Sequence, residues 1–189
     1  KRNYLKLYEQ DFVQASWGQR KSPALTYQLS FLWADRRVLE NVTDFSFSKN
    51  TDRNYSSNRP FNVEADDIAF SNHQIAKFQA TLNWRPGLTY SIRNGRKIPN
   101  FDRAPLVSFT YQKALPQLST SALAADFDHL QASIKHAFSF GVSGKLDFNV
   151  TAGTFLNNRQ VFFQDYSHFG GNRTLFSSME AASNYRVMD

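Results

Sequence analysis

The sequence predicts an all-β fold, an antiparallel transmembrane β-barrel of which about seven or eight meandering strands lie within this chain. Three observations predict it. The best segments alternate apolar and polar residues over about ten positions, where ordinary soluble strands run to roughly 5 or 6. Trp or Phe stands near the ends of these segments. The connections alternate between short and long, as the periplasmic turns and extracellular loops of outer-membrane barrels do.

The chain of 189 residues is long enough to bury a sizeable core, and one unit across 1–189 is expected. Hydrophobic residues make up 41% and the mean hydropathy is -0.51. No apolar run reaches the roughly 18 residues of a membrane-crossing helix, so a helical membrane protein is excluded. Aromatic residues are abundant at 15%, and they stand singly among Ser, Asn, Gln, Thr and Arg, a mixture that suits strands. The absence of cysteine removes disulfides, thiolate metal ligands and a cysteine nucleophile together. The formal charge of +6 comes from Lys and Arg that occur mostly singly in polar stretches. Without a basic stripe interleaved with aromatics, no nucleic-acid partner is expected.

The first strand carries Leu25, Tyr27, Leu29, Phe31 and Trp33 on one face and Thr26, Gln28 and Ser30 on the other. Ala34-Asp35-Arg36-Arg37 reads as a tight connection, with a returning strand from Val38 to about Phe47. A long polar loop follows over about 48–73. The clearest strand runs from Ile75 to Arg85, where Ala76, Phe78, Ala80, Leu82 and Trp84 alternate with Lys77, Gln79, Thr81 and Asn83. Residues 85–104 are taken as one irregular connection on the short-turn side. Val107, Phe109 and Tyr111 alternate with Ser108, Thr110 and Gln112, and a second long loop covers about 114–126. A hairpin then turns at Val142-Ser143-Gly144: Leu130, Ala132, Ile134, His136, Phe138 and Phe140 precede it, and Leu146, Phe148, Val150 and Ala152 follow. The third long loop covers about 157–175. Under this topology Trp33, Trp84 and Phe140 lie near the periplasmic strand ends, as interfacial aromatics.

Period two suits a soluble sandwich as well as a barrel, because either has one apolar and one polar face. Strand length and the small Ala residues on the apolar faces favour lipid on the apolar side. The polar side would then line the lumen with Lys77, Gln79, Thr81, Asn83, Arg85, Gln131, Ser133, Lys135, Lys145, Asp147 and Asn149. Charges there need partners or water. A polar interior that packs an inward loop is preferred to an open pore.

Three stretches carry a family resemblance. Trp33-Ala34-Asp35-Arg36-Arg37-Val38-Leu39-Glu40-Asn41 is one, and Pro105 to Lys113 followed by Asp126-Phe127-Asp128 is another. The third is Tyr166-Ser167-His168-Phe169-Gly170-Gly171-Asn172-Arg173-Thr174. In this order they resemble the Bacteroidetes outer-membrane proteins of unknown function that carry a carboxypeptidase-regulatory-like N-terminal domain before a barrel distantly similar to the BamA-type insertases. The resemblance implies a barrel of about 16 strands, so the chain is expected to be an internal fragment of it. It also implies an inward-folding loop motif at His168, Phe169, Gly170, Gly171, Asn172 and Arg173. Insertase-type barrels follow the Gly-Gly pair with Arg-Gly, whereas Leu175-Phe176-Ser177 stands here and Arg173 is the nearest substitute. The chain opens Lys-Arg-Asn-Tyr without a leader and stops at Tyr185-Arg186-Val187-Met188-Asp189 rather than on a closing aromatic, which also fits an excised part.

No catalytic residue is expected, and the protein reads as a non-enzyme. His73, His129, His136 and His168 lack the helical spacing of a zinc site, so neither metal nor cofactor is expected. Ser139 or Ser143 with His136 could be drawn as a hydrolase pair, but His136 and Ser139 face opposite ways and no Gly-x-Ser-x-Gly elbow is present. Asp126 and Asp128 read as solvated charges at a strand entrance. The functional expectation is a bacterial outer-membrane scaffold or accessory in surface protein assembly or export. Its partners would be outer-membrane lipid and other outer-membrane or periplasmic proteins. A passive or gated channel and a soluble all-β binding module are the alternatives.

Overall fold

A computed structural model describes residues 8–40 and 71–166 of the chain. Contacts divide the chain into two units. One comprises Gln10–Arg37 and Asn72–Gln160 and holds nearly all the strands; the other comprises Lys1–Glu9, Val38–Ser71 and Val161–Asp189. Of the latter, the described part includes a short 3-10 turn, Phe163–Asp165, preceded by the fully buried Phe162.

Strands β1 (Tyr8–Ser22), β2 (Leu25–Val38), β3 (His73–Trp84), β6 (Leu106–Ala114), β7 (Asp126–Ser139) and β8 (Lys145–Gln160) form one sheet in the order β1-β2-β3-β6-β7-β8. Wherever register is defined, from β2 to β8, the pairing is antiparallel. The fold is therefore all-β and built as a meander. A separate two-stranded sheet, β4 (Tyr90–Arg93) and β5 (Arg96–Pro99), lies within the connection from β3 to β6.

This connection contains more order than the sequence reading gave it. Asn94 and Gly95 adopt positive φ values of 50° and 74°, the left-handed pair that a tight two-residue hairpin requires and that Asn-Gly supplies at least cost. A 3-10 turn, Phe101–Arg103, completes it.

The predicted break at Ala34-Asp35-Arg36-Arg37 is not a turn. These residues continue β2, whose register with β3 runs unbroken from Leu25↔Trp84 to Arg36↔His73. The three polar residues Asp35, Arg36 and Arg37 stay in the strand because partners on β1 serve their side chains. Arg37 bridges Asp35 and Asp11 on one face, and Arg36 Nε donates to Gln10 Oε1 on the other. Trp33 consequently pairs with Ala76, toward the opposite strand ends from Trp84, which pairs with Leu25. Of the returning strand expected from Val38 to about Phe47, Val38 instead ends β2, residues 39–40 lie in no strand, and 41–47 lie outside the described residues. The loop expected over 157–175 begins later, because β8 extends to Gln160. The second long connection, 115–125, lies where the alternation places it.

The short connections, 23–24, 85–105 and 140–144, leave one end of the sheet, and 39–72, 115–125 and the segment after β8 leave the other. The 115–125 segment is tied back onto β3 by a parallel bridge between Gln74 and Ala124. Gln74 Oε1 also accepts from Ser119 Oγ, Thr120 N, Thr120 Oγ1 and Ser121 N at 2.9–3.1 Å. One side-chain carbonyl thus organises the whole bend.

Candidate functional site

Register fixes which residues share a face, since cross-strand partners project to the same side. Starting from Tyr27, the row Tyr27–Leu82–Phe109–Ala132–Ala152 crosses β2, β3, β6, β7 and β8 on one side. Neighbouring rows on that side hold Leu29, Ala80, Tyr111 and Leu130, and Leu25, Trp84, Val107, Ile134 and Val150. Trp17 of β1 joins them, its ring 5.5 Å from that of Tyr27. This is a continuous apolar face, and it is exposed: Leu82 39%, Phe109 44%, Ile134 38% and Val150 60%. Monomeric soluble proteins rarely leave so extended an apolar surface bare.

Polar or aromatic rows bound the band at both ends. Toward the short connections His136, Phe138 and Phe148 form a ring cluster, with Phe138 stacked on Phe148 at 5.8 Å and His136 edge-on to Phe138 at 4.6 Å. Exposed Trp84 and Phe140 stand at the same end. At the other end the same face turns charged. Arg37 lies 3.1 Å from Asp11 and 3.0 Å from Asp35. Lys113 Nζ lies 2.9 Å from Asp128, whose carboxylate also accepts from the Tyr111 hydroxyl at 3.0 Å. From Leu25 to Trp33, eight rises of about 3.4 Å each span roughly 27 Å of strand.

The other face is polar, and the register brings together the residues that the alternation assigned to a lumen. Lys77, Gln79, Thr81 and Asn83 of β3, Gln131, Ser133 and Lys135 of β7, and Lys145, Asp147 and Asn149 of β8 all share it. Arg85, one residue past β3, continues the alternation. Their hydrogen-bonding capacity is met sideways: Gln112 donates to Gln79 at 3.1 Å, Ser108 to Asn83 at 2.6 Å, and Thr81 meets Thr110 at 3.4 Å. Lys145 lies 3.2 Å from Asp147.

The two halves of this polar face differ. Toward the long connections it is dry, with Ala34, Arg36, His73, Ile75, Ala114, Phe127 and His129 all buried. His129 packs at 4.8 Å on Phe155, which meets Phe127 edge-on at 5.8 Å. Arg36 Nη1 lies 3.4 Å from His73 Nε2. Sequence reasoning missed this cluster, because nothing in one strand announces that its histidine will lie opposite an arginine 37 positions earlier. Toward the short connections the face is open and is partly covered by the Phe101–Ala104 stretch of the 85–105 segment. Arg85 donates to the carbonyls of Phe101 and Ala104 at 3.3 and 3.2 Å, and its guanidinium lies 5.1 Å from the Phe101 ring centre. A cavity of about 260 Å³ remains there, lined in part by Arg85, Phe101, Lys135 and Asp147.

The inward-loop motif from His168 to Arg173 lies outside the described residues. Of the remaining histidines, His136 sits on the apolar face and Ser139 on the polar one, so the pair cannot form a hydrolytic dyad. Among the described residues no three His, Asp or Glu side chains converge as a metal site would require. The described sheet is two-sided, apolar on one face and polar on the other.

No curated protein and no solved structure matches this chain. A family does, over residues 1–189, and the chain accordingly belongs to the C-terminal domain of the DUF5686 family, a family of unknown function.

Proposed function

We propose that this domain is part of the wall of a transmembrane β-barrel in a bacterial outer membrane, insertase-like in architecture and of the Bacteroidetes type. In this reading the barrel performs no catalysis and acts as a scaffold or accessory in surface protein assembly or export. The observation that carries the membrane part is the exposed apolar face, bounded by an aromatic cluster at one end and ion pairs at the other, on strands of 12, 14 and 16 residues. A soluble sandwich would turn that face inward. Here burial is instead concentrated at one end of the polar face.

This chain has no cysteine, so single cysteines are introduced into it, with any cysteine elsewhere in the full-length protein replaced by serine. In the full-length protein reconstituted in lipid, spin labels at Ala80, Leu82 and Phe109 should be accessible to oxygen. Labels at Thr81, Asn83 and Thr110 should be accessible instead to a water-soluble nickel complex. Uniform aqueous access at all six positions would rule the membrane reading out, as would a monodisperse full-length protein in buffer without detergent.

A scaffold is favoured over a channel by the segment that Arg85 holds across the polar face. Planar-bilayer recordings distinguish the two: a scaffold stays silent, and steady unitary conductance would establish a channel.

A further inference from the structure

The β4–β5 hairpin carries an arrangement that the barrel wall does not explain. Arg93 and Arg96 are direct cross-strand partners flanking the Asn94-Gly95 turn, and Lys97 follows at once. Like charges placed opposite each other destabilise a β ladder. Among the described residues no acidic side chain forms an ion pair with any of the three. Ile92, 73% exposed, and the exposed Tyr90 share a face with Lys97, and the exposed Ile98 shares the other with Arg93 and Arg96. A hairpin that serves only to join β3 to β6 needs neither three unneutralised cations in five residues nor bare aliphatic side chains.

We propose that this hairpin is an interfacial anchor that binds the phosphate groups of anionic phospholipid headgroups, entering turn-first so that Arg93 and Arg96 meet phosphates from one face and Lys97 from the other, where Ile92 and Tyr90 enter the headgroup boundary. The inference rests on the membrane reading above, in which β3 ends at the interface with Trp84. Five residues, 85–89, then separate Trp84 from the first residue of β4. Cations joined to short apolar side chains at that depth are the combination that holds peripheral elements to anionic bilayers. Guanidinium groups suit the task because they meet phosphate oxygens two at a time. An acidic protein partner would be drawn to the charges but gives no reason for Ile92 to be bare.

The test uses the full-length protein with Ile92→Cys labelled by an environment-sensitive fluorophore. It is placed in nanodiscs of pure phosphatidylcholine or of phosphatidylcholine with 30% phosphatidylglycerol, with brominated acyl chains as quenchers. Quenching should be strong in the anionic discs, weak in the neutral ones, and lost as salt rises. Each cation near an anionic surface contributes about fivefold in partitioning. Arg93→Gln, Arg96→Gln and Lys97→Gln together should therefore return the signal to the neutral-lipid level, and the Asn94-Gly95 turn is kept so that the hairpin still forms. Equal quenching in both discs, or in neither, overturns the proposal, as does a response only to added polyglutamate. A label at Leu82→Cys separates the two ideas. It must be quenched in both discs, and if it is not, the membrane reading has failed rather than the anchor.

Discussion

Gly153 is small for a reason found on the neighbouring strand. A Cβ there would stand 3.0 Å from His129 Nε2 and 3.3 Å from the Leu130 carbonyl oxygen. The imidazole could swing aside, but the backbone oxygen belongs to β7, a strand laddered to β6 on one side and β8 on the other. Gly153→Ala should cost about 1–3 kcal/mol as a small overpacking, read as a lowered midpoint of thermal unfolding in detergent. His129→Ala in the same chain should recover only part of the loss, because the contact with Leu130 remains. Gln74 is the other residue on which much depends. Gln74→Leu removes the acceptor shared by four donors of the 115–125 bend and should speed hydrogen exchange at Thr120 and Ser121 about tenfold, at a stability cost of about 0.5–1.5 kcal/mol because the exposed donors turn to water. Gln74→Glu keeps the acceptor and should restore protection.

Among the elements, those whose side chains alternate without interruption could be read from sequence, and those held by partners could not. β3, β6 and the β7–β8 hairpin show clean period two, and their faces are those the pattern assigns. The end of β2 was misread as a turn because Asp35, Arg36 and Arg37 look like loop residues until Asp11 and Gln10 of β1 are set beside them. β1 itself went unread, since Phe12 and Val13 occupy opposite faces and no stripe emerges. The β4–β5 hairpin did leave a signal in Asn94-Gly95, a strong short-range marker, but the residues around it are too basic to look like strands. The last turn of β8 is obscured by a shift in register: Asp128 pairs with Asn157 and His129 with Phe155, which leaves Leu156 as an extra residue. At this scale Gly95→Val should cost about 1–2 kcal/mol, because a branched side chain resists positive φ. The loss should appear as faster exchange confined to Tyr90–Pro99.

At the scale of the whole molecule the membrane proposal inverts an ordinary expectation about substitutions. Phe109→Lys places a charge on the apolar face near mid-strand and should lower folding free energy into lipid vesicles by about 2–4 kcal/mol. Thr110→Lys, one residue along the same strand, should be nearly neutral. A soluble binding module would give the opposite ranking, because the exposed Phe109 would be the tolerant position.

The concentration of buried residues at one end of the polar face bears on how the wall moves. Ala34, His73, Ile75, Ala114, Phe127 and His129 lock adjacent strands at the long-connection end, whereas the far end is wet and held mainly by ladder hydrogen bonds. Slow amide exchange should therefore fade along single strands, with Ala34 and Ile75 outlasting Thr26 and Asn83. A sheet clamped at one rim and loose at the other does not breathe as a cylinder. Closed into the proposed barrel, such a sheet would flare like the bell of a trumpet, and the rim able to widen would be the one from which the basic hairpin hangs.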